Sequence, residues 1–111
     1  MHPATILVAD DDAVARELLA EALRKEGYQV EAFASGEEVI ARGREGRVDL
    51  VLTDIRMGAV DGLTVLREFK RVSPNTAVVV LTAFGSLEGA IEAIKQGAYD
   101  YLAKPFKRED I

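Results

Sequence analysis

Five short apolar runs, separated by segments of helical spacing, set the pattern of this chain. Val48-Asp49-Leu50-Val51-Leu52-Thr53-Asp54 is the clearest of them, and it ends abruptly in a carboxylate. Valine and leucine on successive positions fit a strand buried on both faces, as in a parallel sheet covered by helices. Thr5 to Ala9 and Ala77 to Leu81 have the same character, the latter closed by Thr82. Tyr28 to Phe33 alternates imperfectly, with Gln29 and Glu31 intervening, and suits an edge strand. Tyr99 to Ala103 supplies a fifth strand before Lys104-Pro105-Phe106.

Between these runs the spacing turns helical. Asp12 can cap a helix over about Ala13 to Glu26, with Val14, Leu18, Ala22 and Leu23 as its inward stripe and Gly27 at its end. Ser35-Gly36-Glu37-Glu38 matches a capping box ahead of a short helix broken by Gly43 and Gly46. After the third strand, Ile55 to Gly62 reads as a tightly turning loop. A third helix then spans about Leu63 to Val72 and stops at Ser73-Pro74-Asn75. Ser86 caps a fourth helix to Gln96, with Leu87, Ala90, Ile91 and Ile94 inward. A fifth begins after Phe106 but has only about one turn before Ile111, too short to be stable alone.

This βαβαβαβαβ order predicts an α/β fold: a doubly wound, five-stranded parallel sheet in the order 2-1-3-4-5, with a truncated fifth helix. In that order strands one and three are neighbours. Their carboxyl ends carry Asp10, Asp11 and Asp12 on one side and Asp54 on the other, at the edge where open α/β sheets place ligands.

Composition narrows what such an edge can do. The 111 residues make one domain, 49% hydrophobic and 30% charged, with a net charge of −5. The acidic balance, without a basic block, argues against direct nucleic-acid binding. No run approaches a membrane span and no signal-peptide pattern opens the chain, so the expected location is cytoplasmic. Without cysteine there is no thiolate metal site, and the one histidine, His2, is at the terminus.

A lone aspartate at a strand end is usually a cap or a solvated turn residue, and Asp12 is read as a cap. Asp10, Asp11 and Asp54 together are different, because three close carboxylates repel one another. A hard cation such as magnesium, which favours oxygen ligands and retains waters, resolves that conflict. The loop after Asp54 can add a main-chain carbonyl. Thr82 would bring a hydroxyl and Lys104 an ammonium to the same edge. The result is a phosphoryl-binding cup in which Asp54 can act as nucleophile, since carboxylates form aspartyl-phosphates.

The residues Ile6-Leu7-Val8-Ala9-Asp10-Asp11-Asp12, Leu52-Thr53-Asp54-Ile55-Arg56-Met57, Asp61-Gly62, Leu81-Thr82-Ala83 and Lys104-Pro105-Phe106 together resemble the receiver domain of bacterial two-component response regulators. The resemblance covers nearly the whole chain and implies a flavodoxin-like fold. It implies that Asp54 accepts phosphoryl from a sensor histidine kinase, that Asp10, Asp11, Asp54 and the carbonyl of Arg56 serve Mg2+, and that Lys104 bridges to the phosphoryl group. Thr82 and Tyr101 would be the switch pair. Residues 97–106, with Ala83-Phe84, are most similar to receivers of the NtrC class, which precede an AAA+ ATPase module and a DNA-binding domain acting at sigma-54 promoters. The chain is thus expected to be a fragment of a longer regulator. Its face around the fourth helix and fifth strand would be the surface for output and for a homodimer.

One position departs from the family pattern: Gly58 stands where such receivers usually have proline. Single residues bear on two rival functions. Phosphohydrolases with an aspartate nucleophile need a second acid two positions on, and this chain has Arg56 there. A binding-only receiver without phosphorylation is opposed by the intact acids, Thr82 and Lys104, while Gly58 keeps it open.

Overall fold

The structure is a computed structural model that describes residues 3–82 and 87–103. Its elements are β1 (Thr5–Ala9), α1 (Ala13–Lys25), β2 (Gln29–Phe33), α2 (Gly36–Gly43), β3 (Leu50–Asp54), α3 (Gly62–Val72), β4 (Ala77–Thr82), α4 (Leu87–Lys95) and β5 (Asp100–Ala103). All strand pairs are parallel, and the sheet order is β2-β1-β3-β4-β5, as the sequence pattern predicts. The fifth helix and the Ser86 cap lie outside the described residues.

The central strands are apolar over most of their length because each faces two cores. Side chains alternate across a strand. Leu7 and Ala9 of β1, Val51 of β3 and Val78 and Val80 of β4 therefore enter one cluster with Val39, Ile40, Val65, Leu66 and Phe69 from α2 and α3. Ile6, Val8, Leu52, Val79 and Leu81 enter the other, against Leu19 and Leu23 of α1. β2 is at the edge, as expected, and none of its residues is fully buried.

Two inward stripes differ from the sequence reading. On α1 the buried residues are Leu19, Ala20 and Leu23, whereas Val14 and Leu18 are exposed. Apolar residues cover so much of this helix that two stripes compete, and the one through Leu19 and Leu23 meets the sheet. On α4, Ala93 is fully buried while Ile91 and Ile94 are exposed, which lets the helix axis approach β4 closely. The predicted capping box is also altered: the Ser35 hydroxyl accepts from the Glu38 amide but donates to the Glu38 carboxylate.

Phe69 is the largest fully buried side chain among the described residues, and Gly43 at the end of α2 makes room for its ring. A β-carbon at 43 would meet Phe69 Cζ and would lie 2.6 Å from Cε1. Gly43→Ala should therefore destabilise the fold by about 1–3 kcal/mol through overpacking, against a helix-propensity gain of at most about 1 kcal/mol. Urea unfolding measures this. An unchanged midpoint would mean that the ring can move aside.

Candidate functional site

β1 and β3 pair in the register Ile6↔Leu50 to Ala9↔Thr53, so their next residues leave the sheet side by side. Asp10 follows β1 and Asp54 ends β3. One carboxylate oxygen from each of Asp10, Asp11 and Asp54 lies within 4.8 Å of the others. Asp10 is 1% exposed, Asp54 half-buried and Asp11 exposed, so the group runs from the protein interior to solvent. The sequence-predicted acids thus come together at the carboxyl edge.

Local backbone contacts fix this geometry. The Asp10 amide donates to the Phe33 carbonyl at 3.1 Å, extending the β1–β2 ladder by one residue. The Asp10 carboxylate accepts the Asp12 amide at 2.9 Å, and the Asp54 carboxylate accepts the Arg56 amide at 3.3 Å. Each is an aspartate bonding its own backbone two residues on, a turn that holds the side chain against the strand end. Asp12 caps α1 as predicted, accepting from Val14 and Ala15. Arg16 Nη1 donates to the Asp10 carbonyl at 2.9 Å, a tie that the sequence reading did not include. Its signal is spacing: one turn beyond the cap, a long side chain reaches back over the strand end.

The loop after Asp54 is likewise held at both ends. Met57 is buried, and Arg56 is exposed. Gly58 has φ +46°, in the left-handed region. Asp61 is the N-cap of α3, its carboxylate accepting the Thr64 amide and hydroxyl at 2.9 and 3.0 Å. Asp61-Gly62 therefore starts a helix rather than turning a loop, and the Gly62 amide donates to the Ile55 carbonyl at 2.8 Å.

Two of the remaining predicted residues come from the other half of the sheet. Thr82 is the last residue of β4 and pairs in register with Ala103, but its side chain lies outside the described residues. Tyr101, on β5 opposite Val80, is 38% exposed. Lys104 lies outside the described residues.

The donor set suits a hard cation. Oxygens bound at about 2.0–2.1 Å from one ion are at most about 4.2 Å apart. Only one pair can sit opposite each other at that distance, and adjacent ligands lie about 2.9 Å apart, so oxygens within 4.8 Å of one another would draw together by up to about 2 Å on binding. All three donors are carboxylates, the chemistry that magnesium prefers over nitrogen or sulfur.

Comparison with known proteins agrees with this topology. A family model for the "Response regulator receiver domain" matches residues 6–111. The chain belongs to the response regulator receiver family. Transcriptional regulatory protein ZraR of Salmonella typhimurium is 46% identical over 100 residues, which cover 90% of this chain and 23% of that protein. The DNA-binding transcriptional regulator NtrC of the same organism is 40% identical over 106 residues, covering 96% and 23%. The crystal structure of the receiver domain of NtrX from Brucella abortus superposes with a TM-score of 0.90 at 36% identity, covering 95% of this chain and 89% of that one. This receiver thus spans about a quarter of the length of the curated relatives it matches.

The receiver's acid cluster generates a direct prediction. Unit charges about 4 Å apart in water repel by about 1 kcal/mol. In magnesium-free buffer, Asp11→Asn should therefore raise the unfolding free energy by up to about that amount. Thermal or urea unfolding in EDTA checks it, and a loss of stability would show that Asp11 instead supports the fold.

Proposed function

We propose that this receiver is a phosphorylation-controlled switch in which Asp54 accepts a phosphoryl group from a sensor histidine kinase. The observation that supports this most strongly is the meeting of Asp10, Asp11 and Asp54 at the end of adjacent strands in a chain of this family. Asp54, half-buried and oriented by the Arg56 amide, is the nucleophile. Its carboxylate oxygen attacks phosphorus in line as the bond to the kinase imidazole nitrogen breaks; the bonding pair stays on that nitrogen, and with a proton already on the other ring nitrogen the kinase histidine departs as neutral imidazole.

Asp10, Asp11, Asp54 and the Arg56 carbonyl would hold Mg2+. The bound ion neutralises phosphoryl oxygens and the repulsion among the acids. Lys104 pairs with a phosphoryl oxygen on the other side. The Thr82 hydroxyl donates to another, and Tyr101 follows it, changing the surface formed by α4 and β5. Ile91, Ile94, Tyr99 and Tyr101 are exposed on those elements and their connection, apolar area that a changed packing could present or withdraw.

The exposed Arg56 stands where a fast phosphohydrolase would carry its general acid, which favours a lasting phosphoryl group over turnover. We place the chain in a longer cytoplasmic transcriptional regulator, with an AAA+ ATPase and a DNA-binding domain as effectors. Its partners are then the kinase, that effector and, on the α4–β5 face, a second copy. This resemblance to ZraR and NtrC supports an output at sigma-54 promoters.

Incubation with acetyl phosphate should add one phosphoryl group by intact mass, only with Mg2+ and not in Asp54→Asn. A folded, Mg2+-binding protein that neither gains mass nor consumes acetyl phosphate would make this a binding-only domain. Separately, Mg2+ at about 100 times its dissociation constant should stabilise the wild type by about 2.7 kcal/mol. Asp54→Asn should show less of that gain, and an equal gain would place the ion elsewhere.

A further inference from the structure

We propose that Gly62 is a positioning residue for Asp54: the bare first residue of α3 sets where the β3 terminus, and hence the acceptor carboxylate, can lie. The inference rests on the reading of Asp54 as phosphoryl acceptor. Gly62 is buried, and its φ lies outside the left-handed region, so the backbone there is one that any residue can adopt. Space is the reason for glycine. A β-carbon at 62 would meet the Asp54 carbonyl oxygen, and would lie 2.8 Å from Ile55 Cα and 2.9 Å from the Asp54 carbonyl carbon. All three are backbone atoms, so no side chain can swing away.

The neighbours decide what must yield. α3 is anchored by Val65, Leu66 and Phe69, each at most 1% exposed, and its first turn is fixed by the Asp61 cap. β3 is held between β1 and β4 over most of its length. Its β1 register stops at Thr53, however, so Asp54 and Ile55 are secured on the β4 side, through Asp54↔Leu81 and the Ile55 amide to the Leu81 carbonyl at 3.1 Å. The Thr53 hydroxyl also donates to the Asp54 carbonyl at 3.1 Å, but of the parts in contact the Asp54–Ile55 peptide is the one paired to a single neighbouring strand, so the displacement falls there. Reaching ordinary separation requires about half an ångström or more of movement there. The Asp54 carboxylate, one side chain away, moves with it relative to Asp10 and Asp11.

Misplacing a reacting group by about 1 Å can cost about a hundred-fold in rate, so half of that predicts about ten-fold. The experiment compares wild type, Gly62→Ala and Gly43→Ala. The last has a similar collision but against Phe69, in the core between α2 and α3. For each, calorimetric titration gives the Mg2+ dissociation constant, and time-resolved mass analysis with acetyl phosphate gives the phosphorylation rate constant. A merely structural role reduces the reacting fraction, seen as amplitude. A positioning role changes the constants of the folded molecules.

Gly62→Ala should weaken Mg2+ binding or slow phosphorylation by about ten-fold, while Gly43→Ala keeps both constants near wild type. If Gly62→Ala is partly unfolded, the measurements are repeated in trimethylamine N-oxide, which favours the compact state. Constants equal to wild type, a matching fall in both variants, or a Gly62→Ala chain that stays unfolded in the osmolyte would each overturn the proposal. Failure of the wild type to phosphorylate would sink the acceptor reading instead, and the Mg2+ titrations alone would then judge Gly62.

Discussion

The parallel pairing of β1 with β3 is the constraint on which the rest depends. It places two apolar strands at the centre of the sheet, where each must be covered on both faces, and so calls for helices on both sides. The same pairing brings two aspartates out of the sheet at one level. The sheet's stability and the acid cluster's composition are thus two results of one register. Shifting β1 by a single residue would exchange the two cores and separate the acids together. The carboxylates tolerate one another because the backbone that carries them is fixed by hydrogen bonds to Phe33, Arg16 and Leu81, none of which depends on the acids' charge.

Much of this was legible in the sequence for a simple reason. A strand buried on both faces leaves an unbroken apolar run, and a charge directly after it marks the sheet's edge. Asp10 and Asp54 were therefore readable in place, and the strand order followed from the βα alternation. Helix faces were harder. α1 carries Val14, Ala15, Leu18, Leu19, Ala20, Ala22 and Leu23, so periodicity alone could not choose between overlapping stripes. On α4 the choice fell to Ala93, because close approach to the sheet favours a small side chain over the larger Ile91 and Ile94. Gly62 was visible as a glycine but its role was not, since a close contact between backbones has no signature in one sequence.

The acid half of the sheet and its α4–β5 half are built differently. Asp10, Asp12, Asp54 and Asp61 each engage nearby backbone amides, so this half is defined within a few residues of each strand end. β5, by contrast, is a four-residue outer strand with an exposed Tyr101, and α4 turns two isoleucines to solvent. Acids tied to nearby backbone, beside a less heavily buried strand–helix pair, suit the proposed division between a chemical event at one place and a surface change at another.

Gly58 carries a warning for anyone who would engineer this protein from family statistics. Receivers of this type usually carry proline here, and replacing an unusual residue by the common one is a standard route to stability. Proline, however, is locked near φ −65°, and this backbone stands at +46°. The common residue could enter only by rebuilding the turn that joins β3 to Met57 and α3. What looks like a missing stabiliser is the mark of a differently shaped turn, and a consensus design that imported the proline would need to import its neighbours as well.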